Sequence, residues 1–234
     1  MKRDAKKLLL CGSGRVGQGV MRLLNSSAFS DFIVSCAINK SNASSLSAEY
    51  ARCDGVIDFS HPSLTCALLE VMQEQGTKPC VIGTTGFAPD AFDEMMCKLT
   101  GLALQAPMFY SSNFSIGINV MKDIIPQIRT ALSECDVKII DVHHKLKKDS
   151  PSGTALMLAR LIEGIDIDND ICSIRCGDVV GKHEVIFASG DEVITIKHEA
   201  FNREVFSKNA LRVMRWLVGR VGGVYSMSDF VTSL

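Results

Sequence analysis

The segment Lys7-Leu8-Leu9-Leu10-Cys11-Gly12-Ser13-Gly14-Arg15-Val16-Gly17 constrains the fold of this chain more than any other. Lys7 to Cys11 is a short apolar run with the character of a buried strand. It empties into glycines spaced G-x-G-x-x-G, after which Val20, Met21, Leu23 and Leu24 recur at helical spacing. The glycine spacing alone is a weak signal, but here strand, loop and helix agree. Such glycines allow a tight turn and let the backbone approach a pyrophosphate at the helix N-terminus, where unpaired N–H groups favour an anion. The competing reading, an ordinary glycine turn, explains the loop but not its flanks.

The same alternation continues through the first half. Strand-like runs occur at Phe32–Ile38, Gly55–Phe59, Pro79–Gly83 and Leu102–Ala106, and helix-period apolar residues fill Ser63–Gln75 and Pro89–Leu99. This implies right-handed βαβ units and a parallel sheet, with ligands at the carboxyl ends of the strands. Three polar turns fall there: Ser60-His61-Pro62, Gly83-Thr84-Thr85-Gly86 and Ser111-Ser112-Asn113-Phe114. His61 reads first as a turn residue and second as a cofactor contact; Asp58 reads as a local cap without a catalytic role.

The second half changes character. A helical pattern over Ile116–Leu132 leads to a strand at Val137–Val142, then a helix over Ser152–Gly164. Strands follow at Ser173–Cys176, His183–Ala188 and Glu192–His198, the last two joined by the hairpin signal Ser189-Gly190-Asp191. Asn202–Val218 is an amphipathic helix with Phe206, Ala210, Val213, Met214 and Leu217 on one stripe. The expected class is therefore α/β: a Rossmann-type parallel-sheet domain plus a smaller α+β domain for substrate and oligomerisation, with a mostly antiparallel sheet. The expected boundaries are 1–114 with 204–234 for the dinucleotide domain and 115–203 for the other.

Bulk properties narrow the function. The 234 residues carry a net charge of −1 with dispersed basic groups, which leaves no nucleic-acid footprint. The N-terminal apolar run is too short for a membrane span or signal peptide. Nine cysteines without a C-x-x-C pair point to buried, reduced thiols and a cytosolic protein.

Chemistry concentrates in His143-His144-Lys145-Leu146-Lys147-Lys148-Asp149-Ser150-Pro151-Ser152-Gly153-Thr154. Two imidazoles and several ammonium groups run into a helix start marked by a proline and small hydroxyl residues, a setting for a multiply charged acid. The histidines and Lys147 can also move protons. Were the strand to stay extended, His143 and Lys147 would lie roughly 13 Å apart at ~3.3 Å per residue, so the chain must bend between them. His143 and His144 would point to opposite faces. A zinc site is not expected, because adjacent imidazoles diverge. His183 and His198, on predicted strands, read as structural.

Taken with Val56–Ser60, Val81–Phe87, Ser112–Gly117 and Ser173–His183, these motifs give the chain a close resemblance to the 4-hydroxy-tetrahydrodipicolinate reductase (dihydrodipicolinate reductase) family. The resemblance covers nearly the whole chain. It implies a cytoplasmic homotetramer, joined through the second domain, that reduces a cyclic dicarboxylate with NADPH or NADH. It also implies His143 as proton donor or acceptor and Lys147 as proton donor, with His144, Gly153 and Thr154 holding the substrate; the helix start itself adds Ser152, whose backbone N–H, with those of Gly153 and Thr154, would cradle a carboxylate. Gly12, Ser13, Gly14, Arg15, Val16, Gly17, Gly83, Thr84, Thr85, Ser111, Ser112, Asn113 and Phe114 would line the cofactor. The segments between Lys40 and Gly55 and between Gly164 and Ser173 are shorter than the family pattern leads one to expect.

Cofactor choice has its own signal. NAD-preferring sites carry an acidic side chain about 20 residues beyond the glycine loop. Here Asn39-Lys40 stands at that place, and Lys40, with Arg15, can attract a 2′-phosphate, so NADPH preference is expected. Two other functions compete. A non-catalytic dinucleotide sensor has no need of His143, Lys147 or an anion-binding helix start. A semialdehyde dehydrogenase needs a nucleophilic cysteine, for which Cys135 is the candidate.

Overall fold

The computed structural model describes residues 5–234; residues 1–4, counted above with the dinucleotide domain, lie outside the described residues. The chain divides into two compact units, residues 5–114 with Glu204–Leu234, and Ser115–Arg203.

In the first unit the chain runs β1 (Lys6–Cys11), α1 (Arg15–Leu24), β2 (Phe32–Ile38), α2 (Leu46–Ala51), β3 (Gly55–Asp58), α3 (Pro62–Gln75), β4 (Cys80–Ile82), α4 (Pro89–Leu102) and β5 (Pro107–Tyr110). The six-stranded sheet has the order β10-β5-β4-β3-β1-β2, all pairs parallel, β10 being Gly223–Tyr225 near the C-terminus. Leu8, Leu9, Leu10 and Cys11 are all at most 1% exposed, because a central parallel strand is covered on both faces. On one of those faces Leu9 and Cys11 pack with Tyr50, Leu68, Met72, Ile82, Leu99 and Met108.

Two sequence expectations change here. Leu102–Ala106 is not a strand: α4 continues through Gly101 to Leu102, Ala103 is buried beyond it, and Leu104 is 86% exposed. The apolar residues there belong to a last helical turn, and the strand begins at Pro107. The C-terminal segment also adds a sixth strand that periodicity over three residues cannot signal.

In the second unit α5 (Ile116–Ala131) leads to β6 (Asp136–His143), α6 (Gly153–Ala159), α7 (Ile167–Asp170), β7 (Ile171–Arg175), β8 (Gly181–Ala188) and β9 (Val193–Ala200). The sheet order is β7-β6-β8-β9; β6–β8 and β8–β9 are antiparallel and β6–β7 parallel. Residues 137, 139, 141 and 143 of β6 and 181, 183, 185 and 187 of β8 turn inward, the alternation of a half-covered sheet. Ile118, Met121 and Ile125 of α5 and Ala155, Leu158 and Ala159 of α6 meet Ile139, Val185 and Phe187 there. The helix expected over Ser152–Gly164 stops at Ala159, and Gly164, with φ +80°, turns the chain toward α7.

The chain returns to the first unit as α8 (Glu204–Leu217), β10 and α9 (Met227–Thr232). Ala210, Leu211, Val213, Met214 and Leu217 are fully buried on the inner face of α8. The short α9 is closed by a reciprocal cap between Ser226 and Asp229.

Candidate functional site

In the first unit, the end of β1 is shaped by two glycines with different reasons to be glycine. Gly12 has φ +101°, and a Cβ there would lie 2.2 Å from the Phe59 carbonyl oxygen. Gly14 caps α1 without a side-chain hydrogen bond, and a Cβ on it would meet nothing within 4 Å. The space at the helix start is therefore open, and the protein does not fill it.

Beside it lies a cavity of about 460 Å³ lined by Gly12, Ser13, Gly14, Asn39, Lys40, Ala43, Phe59, Ser60, His61, Ser63, Leu64 and Ala67. Its size is in the range of small-molecule sites, and its floor is a helix start suited to an anion. These residues fit a dinucleotide. His61 both lines this cavity and caps α3, its Nδ1 accepting from the Ser63 N–H at 3.3 Å. Asn39 Oδ1 is taken by the N–H and hydroxyl of Ser41, at 2.9 and 2.7 Å, an Asx turn that holds the loop carrying Lys40.

Asp58 is more than a local cap. Fully buried at the end of β3, it accepts from the Ser60 hydroxyl and the Thr65 hydroxyl, each at 2.5 Å, and from the Ser60 N–H at 3.1 Å. The Ser60 N–H also reaches Thr84 Oγ1 at 3.0 Å. Burial pushes the Asp58 carboxyl above its ordinary range, against the pull of the Ser60 and Thr65 hydroxyls. One buried carboxyl thus pins the Ser60-His61 turn to α3.

Among the expected cofactor residues, several side chains are committed inward. Phe114 is 2% exposed, its ring packed 5.0 Å from that of Phe59. Thr84 is 2% exposed and bonded to Ser60. A Cβ on Gly83 would lie 2.1 Å from the Phe59 ring, and one on Gly17 2.1 Å from the Gly12 carbonyl oxygen. Val16 is half-buried, and its carbonyl accepts from Ser207. Ser13, Arg15, Lys40, Thr85 and Ser112 are exposed, while Ser111 and Asn113 hold one another through the Ser111 hydroxyl.

In the second unit, β6 ends at His143 and the chain bends at once: the Lys147 N–H donates to the His144 carbonyl at 3.1 Å. The bend brings Lys147 Nζ to 2.9 Å from the Asp149 carboxylate. Partial burial opposes ionisation of Asp149, but the Lys147 ammonium and the Gly153 N–H hold its carboxyl below the usual range. Arg175 Nη2 donates to the Asp149 carbonyl at 2.6 Å, tying this loop to β7. Pro151 lies just before the helix cap Ser152, not in the first turn.

Under the loop sits Asp141, wholly buried. It accepts from the Ser152 N–H at 2.9 Å, the Ser152 hydroxyl at 2.8 Å and Arg175 Nη2 at 3.0 Å. His143 Nδ1 stands 2.9 Å from Oδ1, off the line of a good hydrogen bond, and His183 Nε2 stands 3.4 Å from the same oxygen. Burial opposes the charge, yet the two imidazoles and the Ser152 donors hold this carboxyl far below the usual carboxylate range. Asp141, His143 and His183 offer ligand atoms within 4.8 Å of one another, as a metal set would. The Arg175 guanidinium already supplies positive charge at this carboxylate, so an ion-paired network accounts for the cluster.

Sequence reasoning missed Asp141 and Arg175 and gave His183 a merely structural place. A signal existed: Asp141 stands two residues before His143 on one strand, hence on the same face. Ser152, expected at the substrate, spends its hydroxyl on Asp141 and on the Ala155 N–H. Gly153, by contrast, is exposed, and a Cβ there would meet nothing within 4 Å. His144 and Thr154 are half-buried. Cys135 is buried and donates its thiol to the Leu132 carbonyl at 2.9 Å, which does not suit a nucleophile.

Comparison with known proteins places the chain in a family. The family profile described as "Dihydrodipicolinate reductase, N-terminus" matches residues 6–114, and "Dihydrodipicolinate reductase, C-terminus" matches residues 117–231. The 4-hydroxy-tetrahydrodipicolinate reductase of Rickettsia rickettsii is 37% identical over 238 residues, covering 94% of this chain and 96% of that protein. That of Clostridium novyi is 34% identical over 256 residues, covering 97% and 98%. The dipicolinate-bound dihydrodipicolinate reductase of Paenisporosarcina sp. TG-14 superposes with a TM-score of 0.73 at 18% identity, covering 95% of this chain and 97% of that one. With both halves matched and relatives aligned almost end to end, the chain belongs to the dihydrodipicolinate reductase family.

Proposed function

We propose that this protein catalyses the NAD(P)H-dependent reduction of 4-hydroxy-tetrahydrodipicolinate (dihydrodipicolinate) to tetrahydrodipicolinate in lysine and diaminopimelate biosynthesis. One observation carries the assignment of the substrate site. A carboxylate, that of Asp149, already rests against Lys147 Nζ at 2.9 Å. The turn is thus equipped for the acid groups of a dicarboxylate.

Once the 4-hydroxyl has left as water, a nicotinamide held by Gly12 to Gly17 and the neighbouring turns would supply hydride to the ring carbon conjugated with the imine. The enamine that results must gain a proton, and His143 and Lys147 are the groups we assign to deliver it. His144, Gly153 and Thr154 hold the substrate, with Ser152 shaping the turn from below. Gly12 to Gly17, with Lys40, take the dinucleotide phosphates, and Gly83 to Thr85 and Ser111 to Phe114 form the remainder of the cofactor site. For the buried Thr84 and Phe114 that contact is through backbone.

NADPH is the preferred cofactor in this reading. What supports it is Lys40 on the cavity wall and an Asn39 whose acceptor oxygen is already used, leaving amide hydrogens to face a phosphate. We also assign a homotetramer formed through the second unit, whose outer sheet face exposes Ile174 and, on the edge strand β9, Val193. None of the described helices is long and apolar enough to cross a membrane, and all nine cysteines are free thiols, in keeping with a cytoplasmic site of action.

Mixing the protein with NADPH and freshly generated substrate tests the function. Loss of NADPH absorbance that depends on both the substrate and Lys147 is expected. Tight cofactor binding without turnover would instead mean a sensor.

A further inference from the structure

Asp141 is surrounded by more donors than a structural carboxylate needs. Its Oδ1 faces His143 Nδ1, His183 Nε2 and the Ser152 hydroxyl, while Oδ2 takes the Ser152 N–H, Arg175 Nη2 and, at 3.4 Å, the Ser173 hydroxyl. These donors come from β6, β7, β8 and the start of α6. A buried ion pair is a poor source of net stability, because desolvation offsets its attraction. The arrangement calls for another explanation, and it lies in what the carboxylate connects.

We propose that Asp141 is a positioning residue that fixes the ring of His143 and the start of α6 to a single rigid point, so that the proton-handling group and the substrate-holding turn keep one relative geometry. This rests on the roles given above to His143 and Gly153. His143 Nδ1 lies 2.9 Å from Oδ1 without the alignment of a full hydrogen bond, and because an ionised carboxylate can only accept, this close approach favours the tautomer with the hydrogen on Nδ1. That leaves Nε2 as the other working nitrogen of His143. Gly181 flanks it: a Cβ there would lie 3.1 Å from Nε2, so the glycine keeps that atom uncrowded. On the other side, Ser152 is both the partner of Asp141 and the cap of α6, its hydroxyl accepting from the Ala155 N–H at 3.2 Å. Moving the carboxylate moves both.

His183 completes the point. It lies opposite Asp141 in the β6–β8 register, and its Nε2 is 3.3 Å from the Ser152 hydroxyl. Its ring meets that of His143 edge-on, with centroids 5.2 Å apart. Next in the row is His198, paired in register with His183 and 3.0 Å by Nε2 from Ser115 Oγ, the cap of α5. Burial, with His183 beside it, pushes the His198 ring below its ordinary value, so it adds no positive charge to the row at neutral pH.

The test uses the full chain labelled with ¹⁵N-histidine, with the His143 signals assigned by their loss in His143→Gln. In the wild type, the His143 ring should populate the tautomer protonated at Nδ1. Asp141→Asn should shift it toward a mixture, lower kcat about 10- to 100-fold, the range seen when a group orienting a functional histidine is removed, and leave NADPH affinity unchanged. Ser152→Ala should do the converse, raising KM and the dissociation constant for dipicolinate severalfold while the His143 tautomer stays fixed. In a His143→Gln background, Asp141→Asn should change kcat less than about twofold.

A folded Asp141→Asn protein with unaltered His143 signals overturns the proposal. Should that variant not fold, Ser152→Ala decides: unchanged dipicolinate affinity overturns it equally. Wild-type kcat in His143→Gln would remove His143 from the reaction, a failure of the parent assignment, and the tautomer measurement would still answer whether Asp141 orients the ring.

Discussion

A Cβ placed on Gly17 would lie 2.1 Å from the carbonyl oxygen of Gly12, whereas one placed on Gly14 between them would meet nothing within 4 Å. The first approach is backbone against backbone and cannot relax cheaply. Gly17→Ala should therefore cost about 1–3 kcal/mol of stability and weaken dinucleotide binding with it. Gly14→Ala should leave stability within about 0.5 kcal/mol and still weaken NADPH binding about tenfold, because its open space belongs to the ligand. Gly153→Val extends the same logic to substrate, with KM raised and fold retained. Chemical denaturation beside cofactor titration checks all three; intact NADPH affinity in Gly14→Ala would refute the reading.

The proton-transfer assignment predicts separable losses. Lys147→Ala should depress turnover strongly with cofactor affinity nearly unchanged. His143→Gln should lower turnover by about 10² to 10⁴, the contribution of a general acid or base. Stopped-flow single turnovers with a cofactor titration measure both quantities. Wild-type turnover in either variant removes that residue from the mechanism.

Asp149 competes with substrate for Lys147 in the geometry described. Its carboxylate is largely exposed, so the pair contributes at most about 1 kcal/mol. Asp149→Asn should thus lower the dicarboxylate KM by up to about fivefold without changing NADPH affinity. A raised KM would mean that Asp149 orients the ammonium group for the substrate and does not stand in for it.

Stability should respond to pH in opposite senses at two buried carboxyls. Asp141 has a depressed folded pKa, so its contribution is present above its unfolded value of about 3.9 and fades as pH falls below that. Asp58 has a raised folded pKa, so its contribution is present below about 3.9 and is lost as pH rises through the folded value. Relative to Asp58→Asn, the wild type should gain stability as pH falls from neutral; relative to Asp141→Asn, it should lose stability once pH drops below about 4. Denaturant midpoints measured across that range give both signs, and parallel pH profiles would contradict them.

These predictions rest on features of unequal legibility. The apolar run Leu8–Cys11 and the glycines after it announced strand, turn and helix, because hydrophobic period and glycine spacing are local properties. The same local logic misplaced a strand on Leu102–Ala106, where a helix's last buried turn has the composition of a short strand. It also could not foresee β7 lying parallel to β6, since partner choice depends on distant chain. At the site, His143, Lys147 and Gly153 stood out by residue type. Asp141 and Arg175 did not, because their meaning comes from β6, β7 and α6 converging on one carboxylate, a relation that no window of sequence contains.

Cofactor choice turns on residues at the second strand's end. Asn39 accepts from Ser41 through Oδ1, and Lys40 stands on the wall of the same cavity as Gly14. A 2′-phosphate there would meet an ammonium group and amide hydrogens, and a 2′-hydroxyl would find no carboxylate to accept its hydrogen bond. Asn39→Asp should therefore weaken NADPH and strengthen NADH, and Lys40→Ala should weaken NADPH severalfold while leaving NADH nearly unchanged. Because Lys40 is exposed, the NADPH advantage should shrink as salt rises. Dissociation constants for both cofactors at low and high salt measure each effect. Tighter wild-type binding of NADH, or an NADPH affinity indifferent to the new carboxylate, would assign the ribose contact to other residues of the cavity.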